Sequence, residues 1–171
     1  MSTWIIADPH LGHKNISRFR PFVLDSADNT LQFISSWRQT VSKRDYIIML
    51  GDVAFDQESL DVIGNLPGRK VLIKGNHDDL VSTIAHTKVF EEIHGMIKYK
   101  GMWLTHCPIH PDEFRGKKGN VHGHVHTKSI MKGKWFWKHK DPRYINACVD
   151  VIVPQYKRWF ISLDEVKQRL T

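Results

Sequence analysis

The stretch Val121-His122-Gly123-His124-Val125-His126 puts three imidazoles within six residues, with a glycine between the first two. In a strand, alternation would set His122, His124 and His126 on one face at a period of two, and solvent exposure alone would account for them. That account can be checked against the remainder of the chain. If these histidines are only solvated, no other apolar run should end in residues able to hold a metal.

Four other runs do end that way. Trp4-Ile-Ile-Ala7 is followed by Asp8-Pro9-His10, Tyr46-Ile-Ile-Met-Leu50 by Gly51-Asp52, Val71-Leu-Ile-Lys74 by Gly75-Asn76-His77-Asp78, and Met102-Trp-Leu-Thr105 by His106. Ligands of open α/β sheets sit beyond the carboxyl ends of strands, so endings scattered through the sequence can converge on one site. The residue types suit one another. A carboxylate offers two oxygens, an imidazole one nitrogen and an amide a neutral oxygen, a set without thiolates that fits Mn²⁺, Fe, Ni²⁺ or Zn²⁺.

The intervening segments read as an α/β chain. Leu31, Ile34, Trp37 and Val41 recur at helical spacing after the candidate caps Ser26 and Asp28, which predicts a helix over about residues 28–42. A short helix is expected from Asp56 until Pro67-Gly68, and another near residues 79–87. Ile93–Tyr99 and Met102–His106 flank Lys100-Gly101 as a hairpin, and Tyr144–Val151 reads as a further strand. Ser162 and Glu165 form a capping box ahead of a C-terminal helix.

A chain of 171 residues, 41% of them apolar, is expected to form one domain over residues 1–171. No leader and no window near the ~18 apolar residues of a membrane span is evident, and two cysteines are too few for a disulfide framework, so a cytoplasmic protein without a membrane partner is expected. Cys107 and Cys148 are read as small buried side chains. The net charge of +7 favours anionic partners, among them phosphates, nucleotides and nucleic acid.

Taken in order, D-P-H, G-D, G-N-H-D, a lone His after a strand and G-H-V-H resemble the five signature blocks of the calcineurin-like metallophosphoesterases. One block is weak, but five in order from Trp4 to about Val153 are specific. The chain is most similar to the compact stand-alone members of bacteria and phages, whose D-x-H-x-G-H-x-N-I opening resembles Asp8 to Ile16. The resemblance implies an α/β fold, a two-sheet β-sandwich flanked by helices in four layers, with two divalent cations at one end, Mn²⁺ ranked first. It assigns Asp8, His10 and His126 to one cation, Asn76, His106 and His124 to the other, and Asp52 to both. Gly123 then allows close backbone approach.

The same resemblance implies phosphoester hydrolysis by a bridging hydroxide held between cations about 3.5–4 Å apart. His77 would face the leaving oxygen, as general acid or as a stabiliser of developing charge, with Asp78 orienting its ring. His13 and Asn15 follow the first block closely enough to meet a phosphate, or else lie on a polar surface. His122 either touches substrate or is structural. Arg18 and Arg20 are read as solvated, and His86, His94, His110 and His139 as ordinary. In Lys132–Arg143, basic residues interleave with Trp135, Phe136 and Trp137, as in a base-stacking surface or a hairpin whose aromatics cover a sheet edge or form a dimer contact.

The substrate expected from these features is a nucleotide or another small phosphodiester, with nucleic acid possible. A phosphatase for a different phosphomonoester or phosphoprotein is the alternative. A non-catalytic metal-binding scaffold ranks last, because all seven ligand positions and His77 are present.

Overall fold

The computed structural model describes residues 1–170. In chain order its elements are β1 (Thr3–Ile6), α1 (Ser26–Thr40), β2 (Tyr46–Met49), α2 (Gln57–Gly64), β3 (Arg69–Ile73), α3 (Thr83–Val89), β4 (Glu92–His94), β5 (Met96–Tyr99) and β6 (Met102–Thr105). They continue with β7 (Asn120–His122), β8 (Met131–Lys132), β9 (His139–Lys140), β10 (Tyr144–Asn146), α4 (Val149–Tyr156), β11 (Ile161–Ser162) and α5 (Leu163–Arg169). Two main sheets result, ordered β11-β1-β2-β3-β4 and β10-β7-β6-β5. β1 to β4 run parallel to one another, as do β6, β7 and β10.

The central strands are apolar on both faces because both faces are covered. Ile6, Ile47, Met49 and Leu72 pack with Phe33 and Trp37 of α1 and Leu60 and Ile63 of α2. Their neighbours Ile5, Ile48, Leu50 and Ile73 turn the other way, against Met102, Leu104, Val121 and Ile145 of the second sheet. Period-two alternation therefore divides each run between a helix-facing core and an inter-sheet core. Each such aliphatic side chain contributes about 1.5–3 kcal/mol by burial, and truncating Ile48 to Ala would cost about 2–5 kcal/mol. Leu163 and Val166 of α5 complete the inter-sheet core.

Local chemistry sets the ends of the elements. α1 starts earlier than the periodicity suggested, because Asp25 rather than Ser26 or Asp28 caps it and accepts from Asp28 N at 2.8 Å. α5 has the expected capping box of Ser162 and Glu165. In the region expected to be helical over 79–87, Asp78–Leu80 forms a 3₁₀ turn and Ser82 caps α3. The expected hairpin keeps only β5, paired antiparallel with β6, while Glu92–His94 joins the other sheet beside β3, so Gly95 lies where the chain changes sheets.

The strand expected over Tyr144–Val151 stops at Asn146. Its side-chain oxygen accepts from Cys148 N at 2.9 Å, which turns the chain into α4. At that corner the sheets meet: Ala7 N donates to Ala147 O at 3.0 Å and Val149 N to Ala7 O at 3.1 Å. Among the described residues no helix is long and apolar enough to cross a membrane.

Candidate metal centre

Parallel strands deliver their carboxyl ends to one edge, and the blocks that follow β1, β2, β3, β6 and β7 gather there. Backbone strain marks the spot. Asp8, His10, Asp52, His124 and His126 all have left-handed φ values, between 50° and 69°, without being glycine. Each costs on the order of 1–3 kcal/mol, and such residues concentrate where the surrounding structure forces a functional geometry. Gly123 permits the crowding, since a Cβ there would sit 2.4 Å from Asp8 Oδ2.

Asp52 Oδ2 lies 3.6 Å from His10 Nε2 and 3.5 Å from His106 Nε2, between two groups of candidate ligands. On one side, His10 Nε2 stands 3.7 Å from Asp8 Oδ1, and Asp8, His10 and His126 each bring a ligand atom within 4.8 Å of the others. On the other, Asn76 Oδ1 is 3.0 Å from both His106 Nε2 and His124 Nδ1, which are 3.1 Å apart. Among the described residues, Asp8 Oδ1 and His10 Nε2 are buried with no hydrogen-bond partner. Leaving such atoms unpaired costs free energy that a divalent cation would return, so the side chains present fit the implied metal.

The surroundings orient these donors. His106 Nδ1 donates to Leu50 O at 2.8 Å, which leaves Nε2 with its lone pair toward the centre. His126 Nδ1 lies 2.9 Å from Asp150 Oδ2, and that carboxylate holds the imidazole above its ordinary range. Burial works against the charge of Asp150, but the hydrogen bond from His126 and the guanidinium of Arg20 outweigh it, bringing its carboxyl down to about 2. Burial likewise opposes ionisation of Asp8, and the neighbouring His10 imidazole together with the hydrogen bond from Cys148 keeps it below the carboxylate range.

Arg20 corrects the expectation of a solvated charge. It is fully buried, pairs with Asp150 at 2.9 Å, and donates to Asp8 O at 2.8 Å and Pro9 O at 3.0 Å. The D-P-H turn is thereby tied to the start of α4. Cys107 is also corrected: it is exposed, and His106, Cys107 and His124 form a further group of potential ligands.

His77 stands at the rim, its ring stacked on Phe55 at 5.2 Å and its backbone N–H donating to Asp52 Oδ1 at 2.8 Å. Asp78 does not reach that ring. Its two oxygens accept from the backbone of Asp52, Val53 and Gly75 at 2.9, 2.8 and 2.7 Å, clamping the loops after β2 and β3 together.

Two cavities flank the cluster. One of about 390 Å³ is lined by His10, His13, Phe19, Phe55, His77 and His126, and the other, of about 400 Å³, by Lys74, Asn76, Met96, His106 and Cys107. Of the expected substrate residues, only His13 lines either, and burial lowers the affinity of its imidazole for a proton. Asn15 is exposed and precedes a 3₁₀ turn. His122 is buried, with Nδ1 donating to Gly123 O at 2.9 Å. Trp135, Phe136 and Trp137 are 80, 90 and 82% exposed between β8 and β9, so they cover no sheet edge.

Arg20, Cys148, Asp150, Phe19 and Phe55 are the additions made by the structure. No local signal marked Arg20 as buried, because its partner Asp150 lies 130 residues along the chain.

A sequence model of the calcineurin-like phosphoesterases matches residues 1–166. The Gene 66 protein of Mycobacterium phage L5 is 26% identical over 184 residues, covering 87% of this chain and 86% of that protein. Among solved structures, a protein of unknown function from Aquifex aeolicus aligns over 98% of both chains at 24% identity with a TM-score of 0.72. The nuclease MPE of Pseudomonas putida aligns over 78% of this chain and 66% of its own at 19% identity, TM-score 0.54. Both structural likenesses are likenesses of fold.

Proposed function

This chain belongs to the calcineurin-like phosphoesterase family, and from that premise we propose that it is a metal-dependent hydrolase of nucleotide-like phosphodiesters with a two-cation centre. The observation that carries the reading is the position of Asp52 Oδ2, 3.6 and 3.5 Å from imidazoles of two separate ligand groups. A carboxylate so placed can serve two cations, and the mixed oxygen and nitrogen set suits Mn²⁺, Fe, Ni²⁺ or Zn²⁺, of which the family resemblance ranks Mn²⁺ first. Asp8, His10 and His126 would hold one, Asn76, His106 and His124 the other. Bound there, divalent cations supply charge neutralisation at the phosphoryl oxygens and a deprotonated water at neutral pH.

The chain's own groups supply the remainder. Among the described residues neither ring nitrogen of His77 is engaged in a hydrogen bond, so the imidazole at the rim is free to deliver a proton to the departing oxygen. Phe55 sets its ring plane and the Asp52 contact its backbone. Asp78 acts on position rather than protons, by holding the Asp52 and Gly75 loops at a fixed separation. Arg20 fixes the Asp8-Pro9 carbonyls, which keeps the Asp8 carboxylate from swinging away.

Cavities on both flanks favour a diester, since each ester arm then has a place to lie. The two unpaired cysteines fit a cytoplasmic setting. A second reading, a nucleic-acid strand as substrate, is favoured by the exposed aromatics at Trp135–Trp137 between Lys134 and Lys138. The test is a panel with Mn²⁺ and Ni²⁺ of p-nitrophenyl phosphate, bis-p-nitrophenyl phosphate, 2′,3′- and 3′,5′-cyclic nucleotides and single-stranded DNA. Turnover of the diesters above the monoester is expected. Hydrolysis of the monoester alone would replace this reading with a phosphatase.

A further inference from the structure

We propose that the cavity on the His10–His126 flank is an aromatic slot for a planar ring carried by the leaving arm of the ester, whether an aryl group or a nucleobase. The inference rests on the hydrolase reading and names which side of the substrate is recognised. At about 390 Å³ the cavity falls within the roughly 300–1,000 Å³ of small-ligand pockets. Ring faces and edges make up most of its wall, which Ile16, Thr127 and Asp150 complete. Phe55 and His13 meet at 4.8 Å and 77°, His13 and Phe19 at 5.9 Å and 88°, and Phe55 stacks on His77 at 5.2 Å and 29°.

Phe19 carries the argument furthest. It is 71% exposed, outside both hydrophobic cores, yet it lines this cavity beside Ile16. A large apolar ring in that position meets His13 in an edge-to-face contact and leaves most of its surface open to a ligand. The slot is preformed rather than loose. Leu11 N donates to Val53 O at 3.1 Å and Phe55 N to Leu11 O at 2.9 Å, which locks the loop bearing Phe55 to the turn leading to His13. A preordered wall spares the ligand the entropy of arranging it.

The two flanks differ, and the difference gives the orientation. The cavity beside Asn76 and His106 is lined by Lys74, Gly75, Met96 and Cys107 and has no Phe, Tyr or Trp. His77, the proton donor of the proposed mechanism, belongs to the aromatic side. The alcohol whose ring occupies the slot is therefore the one that leaves: water adds its oxygen to phosphorus, the P–O bond to that alcohol breaks, and a proton reaches the departing oxygen.

The test compares phenyl methyl phosphate, thymidine 5′-methyl phosphate and ethyl methyl phosphate on Mn²⁺-loaded wild type, Phe19→Ala and Phe19→Trp. Ratios of kcat/KM, each ring-bearing ester over the ethyl ester, cancel the intrinsic reactivity of the leaving group between variants. Stacking predicts that Phe19→Ala lowers these ratios by about 5- to 100-fold and that Phe19→Trp preserves them. A fall for the phenyl ester alone would assign the slot to small aryl arms, and a fall for both would admit nucleosides. Ratios unchanged in Phe19→Ala would overturn the proposal. Dissociation constants for the same esters, measured by calorimetry, read the slot without turnover. Ring-dependent binding with no hydrolysis would remove the hydrolase reading and keep the slot, whereas hydrolysis with no ring dependence would remove the slot and keep the hydrolase.

Discussion

The Cys148 thiol donates to Asp8 Oδ2 at 2.8 Å, joining residues 140 apart in sequence, and thereby decides which oxygen of that carboxylate stays free. His124 N gives Oδ2 a second hydrogen bond at 2.9 Å, while Oδ1 is left buried and unpaired. Removing the thiol in Cys148→Ala should let the carboxylate turn and weaken Mn²⁺ binding by about 10-fold or more, the scale for partners of metal ligands. Cys148→Ser, which keeps a donor, should lose less. Calorimetric titration distinguishes them, and equal affinity in all three proteins would deny Cys148 this positioning role.

Withdrawing metal should abolish activity and lower Tm, because cation binding to the folded ligand cluster is folding free energy. At a hundredfold excess over Kd the contribution is about 2.7 kcal/mol per site, or roughly 5–10 °C in Tm for a chain of this size. Differential scanning calorimetry before and after chelation, with metal content verified, measures it. Full turnover by a metal-free preparation would rule out the two-cation centre.

His77→Ala should keep its bound metal yet lose about 100-fold or more in kcat on a diester with a poor leaving group, as expected of a lost acid. Asp52→Asn should lose metal instead, since it weakens the group lying between both ligand sets. Metal content and turnover measured on the same samples separate the two effects. An undiminished His77→Ala enzyme would mean that the proton comes from elsewhere.

Asp45 makes stability depend on pH away from the centre. Burial opposes its charge, but backbone hydrogen bonds from Ser2 at 2.6 Å and Ser42 at 3.0 Å outweigh that, so its carboxyl ionises below the ordinary range. A lowered folded-state pKa gives stability that is present above the unfolded value, near 4, and lost as pH falls through the folded one. Asp45→Asn should therefore melt about 2–4 °C below wild type at pH 7, for a loss of about 1 kcal/mol, and the gap should narrow below pH ~4. A gap constant down to pH ~2.5 would contradict the assignment.

Replacing Trp135, Phe136 and Trp137 with Ala should leave Tm unchanged, since all three side chains lie open to solvent. If they stack on bases, a nucleotide substrate loses about 1–3 kcal/mol per lost stack while p-nitrophenyl esters are nearly unaffected. We expect a shallow salt dependence, as for a small ester. A steep loss of affinity between about 50 and 200 mM salt would point instead to a strand tracked by several lysines. A lower Tm or an altered oligomer in the triple variant would assign the segment to packing.

The strand ends and the residues that follow them could be read without coordinates. A strand buried on both faces must be a continuous apolar run, so Trp4–Ala7, Tyr46–Leu50 and Val71–Ile73 announce themselves, and parallel pairing then brings Asp8, Asp52 and Asn76 to a common edge. Gly123 drew notice only through the family resemblance, as a close backbone approach to the cations, and the structure adds that a Cβ there would meet Asp8. Local pattern failed where a residue's partner lies far along the chain. Nothing in Ile16-Ser-Arg-Phe-Arg-Pro-Phe22 shows that Arg20 reaches Asp150, and nothing in Asn146-Ala-Cys-Val-Asp150 shows that a thiol will meet Asp8. Such pairs depend on which buried donor faces which buried acceptor once the two sheets have closed, and hydrogen bonds between distant segments leave no periodicity in the sequence. The slot of His13, Phe19 and Phe55 is of the same kind: three rings from two loops become one wall through the pairing of Leu11 with Ala54.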